Sequence, residues 1–396
     1  MQKTIVILTH VTFDDSPYFR FIHEHAKELV KQGYKVVVLA AINWLPILSC
    51  FQKYKKDFIA KIKNKNKVQI IDGVEVRYIK TLSFSNLLYN SPINLNGISY
   101  YLRIKSIFKK INRENDVILI DAHMFKVYGF DAYKLKNRYH NIKTTITLLG
   151  TSFFRYASTK NGKRSIRKIF SVVDKAVCVS NKIKRMIENI GVKNTEIIYN
   201  GINQHEFSKI DKQQYKNQIT IVGALYPRKK IDLTIRVFAN LIKRYPDLKL
   251  NIVGAGPERE RLDEIVKTLK LEDSVSFKGQ ITNQEVLDLM NKSYIFILPS
   301  VAEGFGIVYA EAMKAGCITI GTKNEGIDGF IINGKNGFLV NPEEKEITKL
   351  IEEIYENKYD IEGIRKNAYK AVENLTWEQN AKGYLSIALE RKNGED

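Results

Sequence analysis

Residues 294–316 join a short apolar, partly β-branched run, Tyr-Ile-Phe-Ile-Leu, to a loop, Pro-Ser-Val-Ala-Glu-Gly-Phe-Gly. A run of helix formers, residues 307–315, follows and is closed by Gly316. The apolar run has the length and composition of a buried parallel strand, and Gly316 stands where a helix stops. Strand, glycine loop and helix in that order demand a parallel sheet with helical crossovers. An α/β fold is therefore expected. In the loop, Gly304 and Gly306 let the backbone approach a ligand, and the helix start that follows presents unpaired N–H groups that favour an anion. Glu303 and Glu311 lie on either side of that point. Eight helical residues span about 12 Å, too far for the pair to share one proton or one metal, so they are expected to meet different parts of one extended ligand. A nucleotide-sugar has that shape, with a charged diphosphate between two hydroxylated ends. An ordinary strand-to-helix turn with a solvated Glu311 is the plain alternative.

The same unit recurs along the chain. Residues 4–8 and 34–39 read as strands flanking an amphipathic helix over 21–32, and further strands fall at 68–71, 74–79, 117–120, 144–148, 176–179 and near 197. Asp121-Ala122-His123 follows the strand 117–120, at the edge where open parallel sheets bind ligands. A histidine there suits a ligand hydroxyl or a structural bond equally. Beyond residue 204, strands at 218–222, 248–253 and 275–277 each run into a loop: Gly223-Ala224-Leu225-Tyr226-Pro227-Arg228-Lys229-Lys230, Gly254-Ala255-Gly256-Pro257-Glu258 and Lys278-Gly279-Gln280. With the loop after residue 298, four strand-end loops are expected along one sheet edge. Arg228, Lys229 and Lys230 bring three cations that can neutralise a diphosphate, the guanidinium as a fork and the ammonium as a point charge. Gly254-Ala255-Gly256 lacks the third glycine of a dinucleotide fingerprint.

At 396 residues the chain can bury two such domains. Charge separates them: residues 1–200 carry 35 Lys+Arg against 14 Asp+Glu, a net +21, whereas residues 201–396 carry 28 against 29. A uniform lysine bias would raise both halves, so the first half is expected to face something anionic. Trp44 followed by apolar residues and seven lysines between 53 and 67 suits an anionic membrane surface, or a solvated basic helix. No signal peptide or membrane-spanning stretch is expected, and Cys50, Cys178 and Cys317 show neither metal spacing nor a disulfide framework, which together suggest a cytoplasmic protein.

Taken together, these stretches resemble the retaining GT-B glycosyltransferases of family 4 over nearly the whole chain. The resemblance is carried most specifically by Glu303 to Glu311, an E-x7-E pattern within Pro-Ser-x-x-Glu-Gly-Phe-Gly. It is supported by Asp72-Gly73-Val74, Val179-Ser180, Asn200-Gly201, Pro227 to Lys229, Gly254 to Pro257, Asn336 to Val340 and Thr376-Trp377-Glu378. It implies two Rossmann-like domains facing each other across a cleft: residues 1–204 for the acceptor, 205–375 for the nucleotide-sugar, and a helix in 376–396 returning to the first domain. It further implies that Lys229 and Arg228 bind the diphosphate, with Gly223, Gly254, Gly279, Gly304, Phe305, Gly306 and Ile307 contributing backbone to the donor site. Glu311 would hold the ribose, Glu303 the donor sugar, and His123 the lip beside the transferred sugar. Retention, by a front-face route in which the leaving phosphate takes the acceptor proton, is implied by the family alone.

The chain has no Asp-x-Asp pair, so no metal or other cofactor is expected; it lacks an RNP-type aromatic motif, zinc spacing and a helix-turn-helix, so nucleic acid is not expected either. The expected partners are a UDP- or GDP-sugar, a lipid-linked or membrane-bound glycan, and the membrane's inner face. Ala224 in place of a frequent arginine, Leu149-Gly150-Thr151-Ser152 in place of a frequent His-Gly-x-Asp, and a first loop (residues 16–20) without glycine depart from the family pattern. The last two lie in the acceptor half and suggest altered acceptor recognition, with lost activity the alternative, whereas Ala224 leaves diphosphate binding to lean harder on Arg228 and Lys229. A catalytically silent partner subunit and a nucleotide-sugar epimerase are the alternative readings.

Overall fold

The computed structural model describes residues 1–9, 20–44, 68–82, 95–203 and 211–390. The first loop (10–19), the lysine-rich segment 45–67 and the expected domain junction at 204/205 lie outside these residues. The chain forms two compact units, one of residues 1–179, 183–201 and 377–396 and the other of residues 180–182 and 202–376.

The first unit is built on eight strands: β1 (Lys3–Thr9), β2 (Lys35–Trp44), β3 (Gln69–Ile71), β4 (Val74–Leu82), β5 (Asp116–His123), β6 (Lys143–Leu148), β7 (Lys175–Cys178) and β8 (Thr195–Ile197). Their order is β3-β4-β2-β1-β5-β6-β7-β8, and every pair is parallel except β3 with β4. Ile5, Val6, Ile7 and Leu8 are all fully buried. That unbroken run, rather than alternation, is what a strand covered on both faces requires. Helix α1 (Arg20–Lys31) turns Ile22, Ala26 and Leu29 onto this sheet, and Gly33 closes it at φ 90°. From β1 the chain winds to one side through β2 and β4, then returns to lay β5 on the other. The switch between β1 and β5 opens a crevice at the carboxyl ends of these strands, where α/β sheets hold ligands.

Strand β5 is longer than the apolar pattern suggests. Asp121 and His123 lie inside it, His123 opposite Thr147 of β6, because threonine hydroxyls of β6 satisfy the aspartate and let a buried strand carry it.

The second unit has six parallel strands, β9 (Gln218–Val222), β10 (Lys249–Val253), β11 (Val275–Gly279), β12 (Ile295–Ile297), β13 (Ile318–Thr322) and β14 (Phe338–Val340), in the order β11-β10-β9-β12-β13-β14. The chain again reverses direction, here between β9 and β12. The loops at that switch are the two that the sequence singles out. Helix α2 (Ile307–Lys314) follows β12, and the last helix, α3 (Trp377–Leu389), belongs to the first unit. Ala381, Tyr384, Leu385, Ile387 and Ala388 of α3 complete the core that α1, β1 and β2 begin. Among the described residues no helix is long and apolar enough to cross a membrane. Cys178 and Cys317 are buried and free.

Candidate active site

In the second unit the loop after β9 tightens into a 3-10 turn at Pro227–Lys229, with Lys230 in the left-handed conformation before the next helix. The loop after β12 lies against it: Val301 N–H donates to Arg228 C=O at 2.8 Å. This backbone bond brings the two sequence motifs together. Lys229, 7% exposed, lays its stem over Gly223 and donates from Nζ to Glu303 Oε2 at 2.5 Å. Arg228 Nη1 approaches the same oxygen at 3.5 Å. Burial drives the Glu303 carboxyl upward, but the Lys229 ammonium and then the Arg228 guanidinium override it, with Ser300 adding a hydrogen bond, and hold the carboxyl below its ordinary range. The residues expected on the diphosphate and on the sugar thus meet each other, forming a buried ion pair at the switch point.

Gly306 caps α2 at φ 82°, and a Cβ there would lie 2.6 Å from the Tyr309 ring. The Tyr309 hydroxyl donates to Leu298 C=O at 2.6 Å and lies 3.0 Å from the Ser300 hydroxyl, pinning the first turn of α2 to the end of β12. Phe305 is buried edge-to-face against Phe330 at 5.3 Å, so its backbone, not its side chain, is left for a ligand. Ile307 opens α2, and Glu311 lies on it, partly buried. Gly254 has a role within the fold: a Cβ there would sit 2.0 Å from Gly223 C=O, so the loops after β9 and β10 pack backbone to backbone. Gly254 N–H donates to Gly279 C=O, which ties in β11, and Gly279 itself has open space on its Cβ side.

Sequence reasoning overlooked Glu325-Gly326, in the loop after β13. Glu325 Oε2 accepts from Glu303 N–H at 2.9 Å, and a Cβ on Gly326 would lie 2.1 Å from Gly304 C=O. Its signal is a glycine beside an acid just past a buried strand.

In the first unit, His123 ends β5 at the β1/β5 switch and is 2% exposed. Its Nε2 lies 2.7 Å from Asp121 Oδ2. Asp121, fully buried, also accepts at Oδ1 from the hydroxyls of Thr145 (2.8 Å) and Thr147 (3.2 Å), and Thr147 lies 2.8 Å from Tyr384 Oη of α3. Burial raises this carboxyl, and its interactions with His123, the hydrogen bond among them, together with the Thr145 hydroxyl override that, leaving Asp121 below its ordinary range. His25 of α1 lies 3.7 Å from Asp121 and donates from Nδ1 to Asn380 Oδ1 at 2.7 Å, while Asn380 Nδ2 donates to Tyr199 C=O. Burial above all lowers the His25 pKa to about 4, so its ring is neutral. His25, Asp121 and His123 bring three metal-competent atoms within 4.8 Å of one another. Two of the three are already hydrogen-bonded to each other.

The model of the family described as Glycosyl transferases group 1 matches residues 202–371, and that of Glycosyltransferase Family 4 matches residues 19–206. An uncharacterized glycosyltransferase of Methanocaldococcus jannaschii is 25% identical over 354 residues, 88% of this chain and 97% of its own length. The gpi3 subunit of phosphatidylinositol N-acetylglucosaminyltransferase of Schizosaccharomyces pombe is 25% identical over 296 residues, 72% of this chain and 64% of that protein. The crystal structure of Anabaena HepE in complex with UDP and glucose superimposes with a TM-score of 0.69 at 17% identity, covering 98% of this chain and 99% of that one. At that identity the likeness shows the fold alone, which is GT-B.

Proposed function

The chain belongs to the group 1 glycosyltransferases of family 4, and we propose that it moves a sugar from a UDP- or GDP-linked donor to a lipid-linked or membrane-associated glycan with retention of configuration. The observation that carries this reading is the convergence of Lys229, Arg228 and Glu303 beside the glycine-opened start of α2. In the donor complex the diphosphate takes the two cations and the N–H groups of Phe305, Gly306 and Ile307, Glu303 passes to the sugar hydroxyls, and Glu311 holds the ribose. The bond from the anomeric carbon to phosphate breaks, the bond to the acceptor oxygen forms on the same face, and the acceptor's proton goes to the departing phosphate oxygen. Lys229 and Arg228 stabilise the charge that grows on that phosphate, an interaction stronger in the transition state than in the ground state. No metal takes part in this scheme.

A lipid-linked acceptor is supported by the +21 charge of residues 1–200 and by the phosphatidylinositol named for the yeast relative. A panel of UDP- and GDP-sugars is assayed for nucleoside diphosphate release, with and without anionic vesicles carrying a polyprenyl-phosphate glycan. Release should require one donor and rise with the vesicles, and Glu303→Ala should abolish it. Full activity in Glu303→Ala would remove this site from consideration.

A further inference from the structure

We propose that Asp121 is a positioning residue, which fixes the His123 ring so that Nε2–H points inward and Nδ1 is presented as a bare acceptor to a hydroxyl of the bound sugar. The proposal rests on the reading that His123 meets the transferred sugar.

Four observations carry it. Asp121 is fully buried and every side-chain partner it has can donate to it, the Thr145 and Thr147 hydroxyls at Oδ1 and His123 at Oδ2, so it serves as acceptor throughout and the proton in its 2.7 Å bond to His123 belongs to Nε2. The carboxylate is itself immobilised: Oδ1 accepts from Thr145 and Thr147. Because Thr147 spends its proton on Asp121, it must accept from Tyr384, so the order runs Tyr384, Thr147, Asp121, His123, with every hydroxyl pointing one way. Finally, His123 Nδ1 is buried without a hydrogen-bond partner among the described residues. A buried N–H without a partner is the rarer and costlier orphan, so Nδ1 is an acceptor waiting for a donor. A sugar hydroxyl is a donor of the right kind, and the ring stands at the sheet switch where a ligand belongs.

The backbone at this point agrees. Met124, the next residue, holds φ 77° without being glycine, and a π-helical turn, Phe125–Gly129, follows at once. Both are uncommon, and both are found where a side chain must be aimed.

The test uses the full chain labelled with 15N-histidine, the His123 signals being identified by their absence in His123→Gln. Long-range 15N–1H spectra should show His123 with Nε2 protonated and Nδ1 bare, and Asp121→Leu should convert that single form to a tautomeric mixture. In the transfer assay Asp121→Leu should lower kcat about a hundredfold, the scale of a misplaced group, with calorimetric UDP affinity within about twofold of the parent. A His123 protonated at Nδ1, a single tautomer that survives Asp121→Leu, or one equivalent of bound metal in the purified protein would each overturn the proposal. If Asp121→Leu does not fold, the parent spectrum decides alone. If instead His123→Gln transfers sugar at the parent rate, it is the sugar-site reading that falls, while the ring spectrum still reports on Asp121.

Discussion

At the scale of single residues, the donor-side geometry depends on close approaches that only glycine permits. Gly326→Ala would push a methyl group into Gly304 C=O, 2.1 Å away, and the strand-end loop cannot yield without moving Glu303. Its expected cost is about 1–3 kcal/mol in thermal unfolding, with UDP affinity reduced at least about tenfold by calorimetry. Lys229→Met leaves the Glu303 carboxyl with Arg228 at 3.5 Å and the Ser300 hydroxyl, without its nearest cation. In the parent the depressed carboxyl contributes stability that is present above its ordinary pKa and lost as pH falls toward its lowered folded value; in Lys229→Met that carboxyl should rise toward or above its ordinary value, so the acid-side loss should shrink or reverse, which pH-dependent melting of the two proteins measures. Glu303, Lys229 and the glycines were legible because a ligand-facing loop concentrates unusual residues in a short span. Glu325 was overlooked because its only mark is an acid beside a glycine past a buried strand, and the backbone bond it accepts from Glu303 spans 22 residues of sequence. Asp121 was visible only as a neighbour of His123, its threonine partners being more than twenty residues away.

At the scale of elements, the join between α1, β5 and α3 is polar at its centre. His25 faces Asp121, His123, Asn380 and Tyr384. Its pKa falls from 6.5 unfolded to about 4 folded, so the unfolded chain binds the extra proton and stability drops as pH falls from about 6.5 toward 4. By pH 5 the loss should approach about 2 kcal/mol at 1.36 kcal/mol per pKa unit, seen as a lower melting temperature of the first unit, and His25→Leu should flatten that slope. Strand and helix types were read correctly wherever apolar periodicity was strong. The ends of β4 and β5 were not, because Thr81 and Asp121 there are satisfied by neighbouring strands rather than by solvent.

For the whole molecule, the net charge of residues 1–200 predicts electrostatic binding. Sedimentation with anionic vesicles should capture the protein at low salt and release it as ionic strength rises past the point where the Debye length falls to about 8 Å, while neutral vesicles capture little. Two α/β halves were legible from repeated strand-loop-helix units, but the sheet order was not, since parallel pairing leaves each strand's neighbour unstated. The return of α3 to the first unit was suggested by resemblance alone, and its packing is now explained by the apolar positions of residues 381–388. That return sets a timetable during synthesis. The opening half leaves the ribosome with a groove still bare along α1, and the residues that fill it emerge only after some 175 more have been added, roughly 10 to 35 s later. Through that interval the nascent chain carries an unsealed apolar seam.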